Sequence, residues 1–311
     1  MRISTSWAQQ TSVNSMLNQQ SKLNQTQMQM NAGKKILTPS DDPAAASRII
    51  DLNQSIKQTE QYQSNINAAS QRLTLEDGVL QSSFDILNRI KELGVQGLNA
   101  TYNSDDRATI ATEMEELNKQ LVGYANTQNA NGEYLFSGFK STTQPFSKDP
   151  NNAGAYSYAG DTNQRSIQIG ETRQIADGDP GNNVFGTPTG GGPSPSAVLV
   201  PGSITNIFEA IDQFAKDLRA NAPNQASLGD VSSALGKILN AQSSVGARLN
   251  ALDSQEGFNT DYVLNTKTVL SETEDLDYAE AVSRFTQQTV ALQASQQAFA
   301  QVKKLSLFNY L

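Results

Sequence analysis

"LTPSDDPAAASRII", residues 37–50, decides how the rest of the chain is read. A proline fixes its own φ, lacks an N–H and pushes the residue before it out of the helical region, so Thr38 and Asp42 are expected to be non-helical. A helix arriving from the N-terminus should therefore stop near Leu37. A second can begin at once, because Asp42 is a good N-cap acceptor, Pro43 suits the first helical position and Ala44 to Ala46 propagate the helix. Pro39, Asp42 and Pro43 form an elbow that stops one helix and starts another.

Outward from the elbow the chain is dominated by helical patterning. Leu52, Thr59, Ile66, Leu73, Leu80 and Leu87 recur every seven residues, with Ile49, Ile56 and Phe84 on the same stripe. This describes a long helix built to pack lengthwise. Gly94 and Gly97 are expected to weaken its end, and Ser104 in "TYNSDD" to cap a following helix over about 105–128. The C-terminal arm repeats the style with Ile207, Ile211, Phe214 and Leu218, a break at "NAPNQ", then Leu228, Val231, Leu235, Ile238, Val245, Leu249 and Leu252. The fold class that follows is mainly α: a long antiparallel helical bundle of N- and C-terminal arms, with a small β-rich insert.

The insert announces itself by its prolines. Seven of the ten fall between 145 and 201, and none lies between Pro43 and Pro145 or after Pro223. "NANGEYLFSGF" (129–139) carries an Asn-Gly turn signal and reads as a short hairpin, its Tyr134, Phe136 and Phe139 closing the end of the bundle. "AYSYAGDTNQRSIQIG" alternates Tyr156 and Tyr158, then Ile167 and Ile169, around a polar turn, which is strand patterning. Residues 178–202 hold seven glycines and five prolines, too many for a regular element. The expected organisation is three parts: 1–36 with 281–311, 37–140 with 203–280, and 141–202.

The two ends differ from the middle. Residues 1–32 contain two charges, Arg2 and Lys22, and residues 281–302 contain one, Arg284. Both nonetheless carry apolar residues at helical spacing: Ile3, Trp7, Met16, Leu17, Leu23 and Met30 in one, Phe285, Leu292 and Phe299 in the other. The opposite face of such a stripe on a free-standing protein is normally charged. Here it is Gln, Ser, Thr and Ala. Most helical stability comes from packing a face against something else, so these ends are expected to pair antiparallel and to order fully when copies of the chain stack.

Composition excludes much chemistry. The chain of 311 residues has no cysteine and no histidine, which removes thiol nucleophiles, disulfides, imidazole bases and most zinc or copper sites. The net charge of -8 comes without a basic stripe and argues against nucleic-acid or anionic-membrane binding. The start lacks the apolar core of a Sec signal peptide, and no run is apolar enough to span a membrane. The expectation is a cytoplasmic protein or one that leaves by a route reading no such signal. Glu113, Glu115 and Glu116 beside Lys119 read as a solvated, ion-paired face, and "DGDPGNN" (177–183) lacks the ligand pattern of a calcium loop. No enzyme, metal or cofactor is expected.

Several stretches together resemble the flagellin superfamily of bacterial axial proteins, and within it the hook–filament junction branch: "MRIST", "GKKILTPSDDPAAASRI", "LTLEDGVLQSSFDILNRIKELGVQGLNAT", "NGEYLFSGF" and the terminal "SLFNYL". Flagellins usually have alanine where this chain has Pro43, and they usually open less like "MRIST", which favours a junction protein over a filament subunit. The resemblance implies a structural protein exported unfolded through the flagellar type III apparatus to the extracellular flagellum. It would form a short ring, with the first hook-associated protein on the hook side and flagellin on the filament side. An export chaperone is expected on the C-terminal helix. In this reading Ile3, Trp7, Leu17, Leu23, Met30, Phe285, Leu292, Phe299, Leu305, Leu307 and Phe308 form the assembly interface, the terminal helices make the inner tube, and the bundle packed through Leu52, Ile66, Leu73, Leu80 and Leu87 makes the shell. The insert points outward.

Overall fold

A computed structural model of the chain describes residues 2–149, 155–188 and 199–304. Its helices are α1 (Arg2–Ala32), α2 (Pro43–Leu98), α3 (Ser104–Ala125), the short α4 (Gly181–Val184), α5 (Ile207–Arg219), α6 (Gln225–Glu274) and α7 (Tyr278–Lys304). Four three-residue strands lie in the insert: β1 (Phe146–Lys148), β2 (Tyr156–Tyr158), β3 (Ser166–Gln168) and β4 (Gln174–Ala176). The architecture is a long antiparallel helical bundle with small antiparallel sheets inserted in it. Two compact units are present, one made of the described residues up to Thr59 and from Asp261 onward, the other of Glu60–Thr260.

In the first unit, α1 ends at Ala32, five residues before the expected stop at Leu37. Gly33 adopts φ +69° and the Lys34 N–H reaches back to the Gln29 carbonyl at 3.2 Å. This is the Schellman closure, in which a left-handed glycine satisfies the last carbonyls of a helix. Glycine in "AGKK" therefore stops the helix before the prolines can. The elbow then folds on itself: Asp41 N–H bonds to Thr38 O at 3.0 Å, and the Asp41 carboxylate accepts from the Leu37 and Thr38 N–H groups at 3.1 and 2.9 Å. The Asp42 carboxylate accepts from the Ala44 and Ala45 N–H groups at 3.1 and 3.0 Å, directly ahead of Pro43 and the rest of α2.

A second break, between α6 and α7, lies against this elbow. Lys35 N–H donates to Glu274 O at 2.7 Å, Leu276 N–H donates to Gly33 O at 3.0 Å, and Lys34 and Glu274 form an ion pair. Asp277 caps α7 by accepting from the Ala279 and Glu280 N–H groups. Because α1 ends where α7 begins and the two helices stay in contact, they run antiparallel.

The second unit holds the main core. Ile66, Leu73, Leu80 and Leu87 of α2 are fully buried with Ile90 and Leu93, against Met114 and Leu121 of α3, Phe208, Ile211, Phe214 and Leu218 of α5, and Val231, Ile238, Val245 and Leu252 of α6. Gly94 and Gly97 stay inside α2. Their expected role as weak points gives way to a packing role, because a Cβ on Gly94 would lie 2.4 Å from the Phe214 ring and one on Gly97 2.6 Å from Leu218. The cap of α3 is Asn103, not Ser104: its side chain accepts from the Asp105 and Asp106 N–H groups, and the Asp106 carboxylate accepts from the Asn103 N–H. Asparagine one residue earlier completes a capping box, and Ser104 becomes the first helical residue.

The two strand-patterned segments on either side of the polar turn at 159–166 do not pair with each other. β2 pairs with β1 through Phe146↔Tyr158 and Lys148↔Tyr156, and β3 pairs with β4 through Ile167↔Ile175. The insert also shares its core with the helices. Phe146 stands 5.0 Å from both Tyr158 and Phe208, and Phe185 meets Phe136 edge-on at 5.1 Å. Phe136 is buried in this cluster, whereas Phe139 is exposed and closes nothing.

Candidate assembly surfaces

The α1–α7 pair has one seam. Leu23, Met30, Phe285, Leu292 and Phe299 lie along it half-buried, Ala281 and Thr26 are buried, and the Tyr278 hydroxyl donates to Met30 O at 3.0 Å. Two helices alone offer no second layer. The other faces therefore remain open, and they are neither charged nor small: Trp7 is 71% exposed, Leu17 58%, Met28 54% and Val290 59%. A groove lined by Leu17, Gln20, Asn24, Met28, Leu37 and Thr38 runs beside the elbow. The remaining expected interface residues cannot be placed: the Ile3 side chain and Leu305, Leu307 and Phe308 lie outside the described residues. Leu52, expected in the bundle seam, is half-buried in the first unit.

Two further exposed apolar surfaces lie away from the α1–α7 pair. In the second unit α6 turns Gln255 and Asn259 inward and leaves Phe258 65% exposed. Asn259 Nδ2 donates to Ile169 O at 3.2 Å, and Gln255 receives Arg173 at 3.0 Å while donating to Asn259. The polar side chains are inside because the β3–β4 turn presents backbone carbonyls there, which need donors. In the first unit Ile50 and Leu264 are each 64% exposed. Their only signal in the sequence is that they fall off the heptad stripe.

The acidic cluster on α3 is engaged. Glu113 pairs with Arg89 at 2.8 Å, Glu116 with Lys119 at 2.6 Å and Glu115 with Arg219 at 2.9 Å. A cleft of about 360 Å³ between α3, α5 and the β1–β2 hairpin contains Lys119, Lys148, Tyr156, Asp212 and Lys216. Within it Asp212 accepts from Lys148 and Asn118, each at 2.7 Å, and burial with the Asp212 charge pushes the Tyr156 phenol up. Among the described residues no group of three His, Cys, Asp or Glu side chains is placed to hold a metal ion, and no helix is long and apolar enough to cross a membrane.

The bacterial flagellin N-terminal helical region matches residues 3–141, and the flagellin C-terminal helical region matches residues 228–311, within the C-terminal arm and beyond α5. Over its full length the chain is 31% identical to flagellar hook-associated protein 3 of Escherichia coli K12, with 99% of each chain covered. The chain belongs to the flagellar hook-associated protein 3 family, within the flagellins. The hook-associated protein 3 of Salmonella typhimurium LT2 is 29% identical, again over 99% of both chains. The crystal structure of hook-associated protein 3 from Legionella pneumophila superposes with a TM-score of 0.63 at 26% identity, covering 72% of this chain and 98% of that one. The family is a structural component of the flagellum.

Proposed function

We propose that this chain is the structural junction between the hook and the filament of a bacterial flagellum. In this reading it forms a short ring, with the first hook-associated protein on one side and flagellin on the other. The observation that carries the proposal is the full-length likeness to hook-associated protein 3, in a chain whose terminal helix pair leaves Trp7, Leu17, Met28 and Val290 exposed on uncharged faces. Filament proteins match the chain over a smaller part or less closely.

The physics of stacking supports the assignment of roles. Identical subunits joined by heterologous contacts around an axis present unlike faces above and below, so one layer can join two different neighbours. The terminal helices would line the inner tube, the bundle would form the shell, and the insert would lie outermost. The C-terminal helix would be held by an export chaperone before passage, unfolded, through the flagellar type III apparatus.

The test is polymerisation of the purified protein under salting-out conditions, followed by sedimentation and negative-stain microscopy. A junction protein stays short until hook-side protein and flagellin are added. Long filaments of the protein alone would mean that its two faces complement each other, and would make it a filament subunit instead.

A further inference from the structure

In the second unit the carboxyl of Glu76 on α2 is completely enclosed. It sits among charged groups from every element that packs there. Arg72, one turn earlier on α2, donates to the Tyr134 and Leu135 carbonyls at 3.3 and 3.1 Å and pairs with Glu133 at 3.4 Å. Arg165, just before β3, holds Asp177 through three contacts of 2.6 to 3.0 Å. Arg248 on α6 pairs with Asp179 and reaches Ala176 O at 3.4 Å, and Gln164 also donates to Asp179 at 2.6 Å. Between the two aspartates Gly178 comes so close that a Cβ there would stand 3.1 Å from Arg72 Nε and 3.7 Å from Glu76 Oε2.

The charges decide the state of Glu76. Without it the cluster holds three guanidinium groups, Arg72, Arg165 and Arg248, and three carboxylates, Glu133, Asp177 and Asp179. It is balanced. An ionised Glu76 adds one unmatched negative charge in a place closed to solvent, and neither of its oxygens accepts a well-formed hydrogen bond from the described residues, the Asp179 N–H offering only a weak one. A buried charge in that position is costly, whereas the neutral acid is tolerated. Burial first, and then the Asp179 charge, push the Glu76 carboxyl up to about 8, against the opposing pull of Arg248, Arg72 and the Asp179 N–H.

We propose that Glu76 is a protonation latch: its neutral carboxyl lets the Arg165–Gly181 segment close over α2 and α6, and its ionisation loosens that segment from the helices. The segment carries both β3 and β4 and leads into α4, so loosening it frees one side of the insert while the α3–α5 core stays packed.

The sign follows from linkage. A carboxyl whose pKa is higher in the closed state favours closure fully at low pH. That contribution declines from the ordinary carboxylate value of 4.5 and is gone once the pH has risen through about 8. Within that window the opening constant rises by up to about tenfold per pH unit.

Hydrogen exchange of the full-length protein across this window, corrected for the intrinsic pH dependence of exchange, tests the latch on peptides covering 165–181, with α3 peptides as reference. In the wild type, opening of 165–181 should increase towards alkaline pH and level off beyond the window while α3 stays protected. In E76Q the same peptides should be closed at every pH. Identical pH profiles in the two proteins, or opening of 165–181 and α3 together, would overturn the proposal. A second measurement needs no variant: difference infrared spectra of the wild type should retain a protonated carboxyl band near neutral pH, and its absence would also overturn the proposal.

Discussion

The Phe214 ring lies against the backbone of Gly94, leaving no room for a side chain: a Cβ on Gly94 would meet Phe214 Cε1 at 2.4 Å. Gly78, sixteen residues earlier on α2, has open space where a Cβ would go. Alanine is the better helix former at both sites by about 1 kcal/mol. Sterics reverse the sign at one of them. Gly94→Ala should destabilise by about 1–3 kcal/mol through overpacking, and Gly78→Ala should stabilise by about 0.5–1 kcal/mol. Thermal or urea unfolding of the pair measures both; equal effects would mean that α5 does not pack against α2 at Gly94.

Leu73 and Trp7 separate folding from assembly. Leu73 is fully buried in the second unit, and truncation to alanine should cost about 2–5 kcal/mol. Trp7 is mostly exposed, so Trp7→Ala should change monomer stability by less than about 0.5 kcal/mol. Its expected effect is on incorporation into the flagellum, scored by filament growth in cells carrying the variant. Full filament growth with Trp7→Ala would remove that residue from the proposed interface.

The N-caps of α2 and α3 are open to the same test. Asn103→Ala removes the acceptor for the Asp105 and Asp106 N–H groups while keeping the backbone N–H that the Asp106 carboxylate accepts from, and Asp42→Ala removes the acceptor for the Ala44 and Ala45 N–H groups. Each should cost about 0.5–2 kcal/mol. Asn103→Asp should retain most of the stability that alanine loses.

Acid should loosen the elbow. The Thr38 and Leu37 N–H groups hold the Asp41 carboxyl below its ordinary 3.8. A lowered pKa means stability that is present above the ordinary value and lost as the pH falls through the folded one. Amide signals of Leu37 and Thr38 should therefore broaden or shift in acid in the wild type, and Asp41→Asn should show no such titration.

Much of this fold is written locally. "SDDPAAA" specifies a cap and a proline start through rules that involve four or five neighbouring residues, and the seven-residue recurrence from Ile66 to Leu87 specifies a buried stripe whatever covers it. The near-absence of charge in the two ends and the lack of cysteine and histidine are likewise properties of the string. Two more features are equally local: Gly33 before Lys34 and Lys35 marks the end of α1, and Asn103 outranks Ser104 as a cap.

Other features had no local signal, because contacts between residues distant in the chain decide them. Tyr156–Tyr158 pairs with Phe146–Lys148 rather than with the strand that follows it, since Phe208 and Phe185 supply the surface on which Phe146 and Tyr158 pack. The carbonyl of Ile169 gives Asn259 a partner inside, so an amide continues the buried stripe of Val231, Ile238, Val245 and Leu252 while Phe258 stays outside. Gly94 reads as a helix weakness until Phe214 is beside it, and Glu76 is buried only because three arginines and three other carboxylates close around it. Periodicity and capping depend on neighbours within a turn or two and can be read from the chain. Strand partners, close helix crossings and the charge state of a buried acid depend on which distant groups exclude water, and those only the tertiary structure supplies.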